Sequence, residues 1–194
     1  MRISLEGNIS AGKSHILAKL HEALHEKLRV YPEPLNEWGD LLKLYYENRS
    51  AWCLPLSLKI LLGFTASNKD DFCVVERSPL ACKNVFTKLL HQEGTMDAYQ
   101  WNVFCDYYDV VGWVPDLVIY IDVPETVCLE RIKKRNRDGE QGIELHELRR
   151  IQYQYEQLFF GKQREYQGEV VRVDGNADLD VVVSRVMDIV KTKL

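Results

Sequence analysis

The segment Gly7-Asn8-Ile9-Ser10-Ala11-Gly12-Lys13-Ser14 fits the pattern G-x-x-x-x-G-K-[ST]. Glycines at this spacing let the backbone turn so that several N–H groups converge, and such a concavity takes phosphate oxygens. Lys13 would add a point charge on the β and γ phosphates, and the Ser14 hydroxyl is a ligand for Mg²⁺ in such loops. The motif lies between a strand-like run, Arg2 to Glu6, and a run in which Ile16, Leu20 and Leu24 recur at helical spacing. In that context the positive end of the helix faces the anion. A glycine-rich turn with a surface lysine is the plainer alternative, and it does not explain the strand and helix on either side.

Two further clusters carry chemistry. Glu33 stands between Pro32 and Pro34, which hold the chain extended around one acid. Glu76-Arg77-Ser78 follows the apolar run Phe72 to Val75. A carboxylate can take a proton from a hydroxyl while an arginine holds it in place. Taken alone, Glu33 reads equally well as a solvated turn acid. From Glu130 to Glu140 the cations Arg131, Lys133, Lys134, Arg135 and Arg137 crowd a helix end and the loop after it. A cationic loop over a triphosphate would neutralise charge on a moving phosphoryl group and exclude water. By itself the run also suits a solvated helix C-terminus. A GTPase is disfavoured: there is no N-K-x-D motif, and no D-x-x-G follows the second strand-like run.

The elements that must position these groups follow from the apolar pattern. Strands are expected at Arg2 to Glu6, Leu28 to Tyr31, Phe72 to Val75, Leu117 to Ile121 and Glu169 to Val173. Helices are expected after Ser14, then over 37–47, 51–67, 80–92, 96–111, 124–134 with Pro124 in the first turn, 145–160 and 179–191. Strands separated by helices imply a five-stranded parallel sheet with helices on both faces, an α/β fold whose ligands sit beyond the carboxyl ends of the strands. Glu6, Pro32, Glu76 and Asp122 would then rim one crevice. No repeat or linker divides the 194 residues, so residues 1–194 read as one domain.

The formal net charge of -4 argues against a nucleic-acid binder. No stretch is apolar enough to cross a bilayer. Five cysteines without a C-x-x-C pair suit reduced thiols in a cytoplasmic setting. Strand-like sequence begins at Arg2, so no targeting peptide is expected within this sequence, and a processed precursor would look the same.

The ordered set "GNISAGKS", "EPLNEW", "WCLPLS", "ERSPLA", "PDLVIYID", "ERIKKRNRDGE" and "VDGNAD" resembles the deoxyribonucleoside kinases of the deoxycytidine kinase and mitochondrial-type thymidine kinase group, over nearly the whole chain. The resemblance implies a P-loop kinase fold with an arginine-rich lid at about 131–142. It implies ATP and Mg²⁺, a deoxynucleoside acceptor phosphorylated at its 5′-hydroxyl, and a homodimer. It assigns Glu33 as the base, Arg77 as the residue that orients it, and Glu76 as a partner near the metal. Arg131, Arg135 and Arg137 become phosphate contacts. Tyr46 and Glu140 fall at the sugar 3′-hydroxyl, and Trp38, Leu56 and Phe86 around the base. Asp174, Gly175, Asn176 and Ala177 fall beside the adenine of ATP.

Three departures touch the base. Pro55-Leu56-Ser57 replaces the family's P-F-Q, and serine is too short for the same paired amide contacts. Tyr45 stands where an aliphatic residue is common. Phe64 and Cys82 replace the Arg/Asp pair of deoxycytidine-preferring members, which points towards thymidine or pyrimidines in general. Elsewhere His15 replaces a threonine, and Asp122 stands where glutamine or arginine is common. The competing readings are a nucleoside monophosphate kinase such as thymidylate kinase, which needs another cation for the acceptor's phosphate, and a non-catalytic nucleotide-binding subunit.

Overall fold

The computed structural model describes residues 1–69, 72–137 and 140–194. Five parallel strands, β1 (Arg2–Glu6), β2 (Arg29–Tyr31), β3 (Cys73–Glu76), β4 (Leu117–Asp122) and β5 (Glu169–Asp174), form one sheet in the order β2-β3-β1-β4-β5. The three central strands are almost wholly buried, β3 and β4 as near-continuous apolar runs and β1 with Ser4 and Glu6 buried among its apolar residues. The chain leaves β1 towards β2 on one side and returns from β3 past β1 to β4. The crevice therefore opens at the carboxyl end of β1.

Alternation along the strands divides the core between the two faces. Ile3, Leu5, Leu117, Ile119 and Ile121 pack against α1 (Lys13–Leu24) and α9 (Leu179–Lys191), through Ile16, Leu20, Val182 and Val186. Val118 and Tyr120 face the other way and meet Tyr155, Leu158 and Phe159 of α8 (Leu145–Phe159). A third cluster joins Cys73 and Val75 to Leu61 of α3 (Arg49–Gly63) and Phe104 of α6 (Ala98–Val111).

The expected elements form, with local differences. Helix α2 starts at Leu35 rather than Glu37 and runs to Glu47. Helix α3 ends at Gly63, and a 3-10 turn over Phe64–Lys69 replaces the rest of the expected helix. Pro124 caps α7 (Glu125–Arg135) from just outside instead of entering its first turn. The segment after β3 is not one α-helix. It runs as α4 (Pro79–Ala81), a π-helical turn over Cys82–Thr87, and α5 (Lys88–Gln92). No helix among the described residues is long and apolar enough to cross a membrane. All five cysteines are free thiols, four of them buried. Asp138 and Gly139 of the lid lie outside the described residues.

Candidate active site

The phosphate loop joins β1 to α1. Gly7 has φ 146° and Gly12 has φ 98°, while Ser10 adopts a left-handed φ of 63°. A Cβ on Gly7 would lie 2.7 Å from the Ile121 carbonyl oxygen, so this position excludes any side chain. The Lys13 ammonium donates to the Gly7 carbonyl (3.1 Å) and the Asn8 carbonyl (2.8 Å), curling over its own loop. Burial, with Arg77 nearby, pulls its pKa down to about 8. The Asn8 side chain donates to the Leu148 carbonyl (2.9 Å) and to Gln152 Oε1 (3.4 Å), while its own Oδ1 takes the Ile9 N–H (2.8 Å). Gln152 in turn donates to Asp122 (3.1 Å). The loop is thus fastened to α8 by side chains as well as closed by its own turns.

The ends of β2 and β3 bring the acids to this loop. Glu33 Oε1 lies 3.6 Å from Arg77 Nε, and the Glu33 side chain is 17 % exposed. Burial pushes Glu33 above the usual carboxylate range; Arg77 and Lys13 pull against that shift and Glu76 adds to it. Burial opposes charge on Arg77 too, but Tyr155, Glu33, Glu6 and Glu76 around it keep it protonated. Ser14 Oγ donates to Glu76 Oε1 (2.9 Å), and Glu76 Oε2 accepts the Glu33 N–H (3.4 Å). These oxygens suit a hard cation that keeps most of its waters and takes one or two protein ligands. Among the described residues no group of three or more metal-binding side chains occurs, so an all-protein metal cage is not what this site offers.

One cavity of about 690 Å³ connects the loop to a side pocket between helices. Its phosphate end is lined by the loop from Ile9 to Ser14 together with Glu33, Glu76 and Arg77. Its far end is lined by Trp38, Tyr45 and Tyr46 of α2, Leu56 and Ser57 of α3, then Phe64, and Cys82 and Phe86 of the π turn. The π turn widens the helix at the point where those last two side chains enter the cavity. Arg77 lies over the Phe86 ring, 4.5 Å from its centroid. Ser57 is buried at the cavity wall, and the Trp38 indole N–H is buried without a partner. Burial pushes the Cys82 thiol up to about 12 and the Tyr45 hydroxyl up to about 12.

From the segment expected as a lid, Arg131, Arg135, Arg137 and Glu140 line the same cavity. Arg131 donates to the Gly175 carbonyl (3.4 Å). Arg135 and Arg137 both pair with Glu140, at 2.6 Å and 3.4 Å, so the acid expected at the sugar also holds two arginines of the expected lid. Gly175 lines the cavity, as does Ala177. Asp174 and Asn176 do not: Asp174 caps the turn by accepting the Asn176 N–H (2.9 Å). Gly7 and Asn8 also stand behind the cavity wall and serve through their carbonyls.

Some residues in or beneath the cavity wall have no signal of their own in the sequence. Arg49, at the start of α3, pairs with Glu147 (2.8 Å) and lies over the Tyr45 and Tyr46 rings at 5.6 Å and 5.8 Å. It closes the α2 side of the pocket against α8. Glu6 and Tyr155 sit beneath Arg77. Glu6 reads as the last residue of a strand, and Tyr155 as one more aromatic on an amphipathic helix.

Comparison with known proteins agrees with this geometry. The family model for deoxynucleoside kinases matches residues 3–193. A putative kinase protein of Invertebrate iridescent virus 3 is 34% identical over 161 residues, covering 79% of this chain and 80% of that protein. Human deoxycytidine kinase is 28% identical over 195 residues, covering 80% of this chain and 74% of that enzyme. A deoxyadenosine kinase from M. mycoides, solved with the products dCMP and dCDP, superposes with a TM-score of 0.85 at 26% identity and covers both chains fully. With a P-loop, an acidic crevice and a match from end to end, the chain belongs to the deoxynucleoside kinase family.

Proposed function

We propose that this kinase transfers the γ-phosphoryl group of ATP to the 5′-hydroxyl of a deoxyribonucleoside, with thymidine or other pyrimidine deoxynucleosides as acceptors, in nucleotide salvage. The observation that carries the reading is the Glu33–Arg77 pair, a part-buried carboxylate on a buried arginine, set beside Ser14 and Glu76 at the junction of the loop and the side pocket. In this reading Glu33 accepts the proton as the 5′-oxygen bonds to phosphorus, and the bond from phosphorus to the bridging oxygen of ADP breaks. Arg77 holds the carboxylate and the hydroxyl in line. Lys13 leaves the loop carbonyls for the phosphates, and Arg131, Arg135 and Arg137 bear on the moving group. Ser14 and Glu76 would hold Mg²⁺, directly or through water, and the metal when bound neutralises phosphate charge. Positioning and electrostatics supply most of the acceleration.

The side pocket supplies the acceptor site, with Tyr46 and Glu140 at the sugar and Trp38, Leu56, Ser57, Phe64, Cys82 and Phe86 around the base. The raised proton affinity of Glu33 favours a base that is ready to take a proton. A monophosphate acceptor fits less well. Outside the loop and lid, Arg77 is committed to Glu33 and Arg49 to Glu147, so among the described arginines and lysines lining the cavity none is left for a second phosphate. Release of ADP from ATP with each of the four deoxynucleosides and with thymidine monophosphate tests the reading. Turnover is expected with at least one pyrimidine deoxynucleoside. Turnover with the monophosphate alone, or with none of the five, would overturn it.

Helix α6 also supports a homodimer. Tyr99, Val103 and Val110 stand exposed along it, Tyr99 at 86 % and Val110 at 81 %. An apolar stripe of this kind on a surface helix suits a second copy of the chain. Light scattering of the purified protein should give twice the chain mass. The five free thiols suit a cytoplasmic setting.

A further inference from the structure

The carboxylate of Glu6 lies at the floor of the site, fully buried, and has no place in the transfer just described. Its Oε1 accepts from Ser78 Oγ (2.6 Å) and its Oε2 accepts from the Tyr155 hydroxyl (3.0 Å). A tyrosine hydroxyl has one proton. With that proton directed at Glu6, the oxygen lone pair faces Arg77, whose Nη1 donates to it at 2.8 Å. The same Nη1 donates to the Gly7 carbonyl of the phosphate loop (3.1 Å), and Nε faces Glu33. Arg77 also adopts a left-handed backbone, φ 66°, which a non-glycine residue holds only when its surroundings fix it.

We propose that Glu6 and Tyr155 are positioning residues for Arg77: the carboxylate orients the tyrosine hydroxyl, and the hydroxyl holds the guanidinium where it grips Glu33 and the acceptor. The proposal rests on the reading of Glu33 as the base. It explains why a full carboxylate is kept where burial raises its proton affinity against the pull of Ser78, Arg77 and Tyr155. It also explains why Tyr155 is locked by Tyr120, Phe159 and Phe86 rings at 5.4, 5.8 and 6.2 Å, since a positioning group must itself be fixed. If Glu6 served only to close β1 against Ser78, removing the tyrosine hydroxyl would alter stability and leave turnover alone.

The test is Tyr155→Phe in the full chain, assayed with ATP and the preferred deoxynucleoside. Turnover should fall about ten- to a hundredfold while both KM values stay within about threefold. Unchanged kcat, or a loss confined to KM, overturns the proposal. In an Arg77→Ala background, followed by transfer of labelled γ-phosphate, the same substitution should cost less than about twofold, because its effect runs through the missing guanidinium. An equal loss in both backgrounds also overturns it. Should Tyr155→Phe fail to fold, Glu6→Gln takes its place with the same readings and a smaller loss in kcat. Glu33→Ala, measured in parallel, separates the two ideas. Near-normal turnover there removes the base assignment; loss there with normal turnover in Tyr155→Phe removes the positioning role alone.

Discussion

The two ends of the cavity are built in opposite ways. The phosphate end is eight consecutive residues, Gly7 to Ser14, whose backbone does most of the work. The acceptor end is assembled from α2, α3, the π turn and the lid, residues far apart in the chain that meet only because the sheet orders its strands β2-β3-β1-β4-β5. One end is a local conformation and tolerates few changes of backbone. The other is a set of side chains and can be retuned one residue at a time.

The sharpest break in that comparison comes where the two ends join. Glu33→Ala should reduce kcat by about three to four powers of ten with nucleoside binding largely kept, as steady-state kinetics and equilibrium binding would show. Near-normal turnover would place the base elsewhere. At the phosphate end, Lys13→Ala should lower kcat/KM for ATP by about two to three powers of ten and leave nucleoside affinity within a few fold. A matching loss of nucleoside affinity would mean that the two ends are not separable.

Smaller effects sharpen the contrast at the acceptor end. Ser57 brings a polar side chain to the acceptor end of the cavity, so Ser57→Ala should change kcat/KM by about tenfold or less, unevenly across the four deoxynucleosides. An even change across all four would remove Ser57 from base reading. The smallest effect expected is thermodynamic. Burial raises the proton affinity of Glu6, so the folded protein binds that proton more tightly than the unfolded chain does. Wild type therefore gains stability from this group as pH falls through the raised value towards 4.5. Glu6→Gln does not titrate. Any margin by which it melts above wild type at neutral pH should therefore close as the solution is acidified. A gap that widens on acidification would contradict this sign.

Legibility follows the same division. The glycine loop, the five strands and the acid between two prolines could be read because each depends on neighbours in sequence. The π turn could not: Cys82-Lys83-Asn84-Val85-Phe86-Thr87 has the periodicity of an ordinary helix, and the α3, α6 and α8 residues it packs against are remote in sequence. The pocket side chains were found by family resemblance, since Trp38, Leu56 and Phe86 read as plain core residues on their own. Glu140 shows the limit of that resemblance. Its position in the cavity agrees with the expectation, yet its carboxylate holds Arg135 and Arg137. A pairing of that kind depends on loop geometry that spacing does not encode. Glu6 and Tyr155, 149 residues apart, were invisible as a pair.

Asn8 ties the glycine turn to α8, and through Gln152 and Asp122 to Arg172 at the rim of the sheet. A nucleotide therefore meets a receptacle already set in shape and surrenders little chain freedom of its host on entering. The ordering cost was met once, when the polypeptide folded, and it is not met again at every turnover.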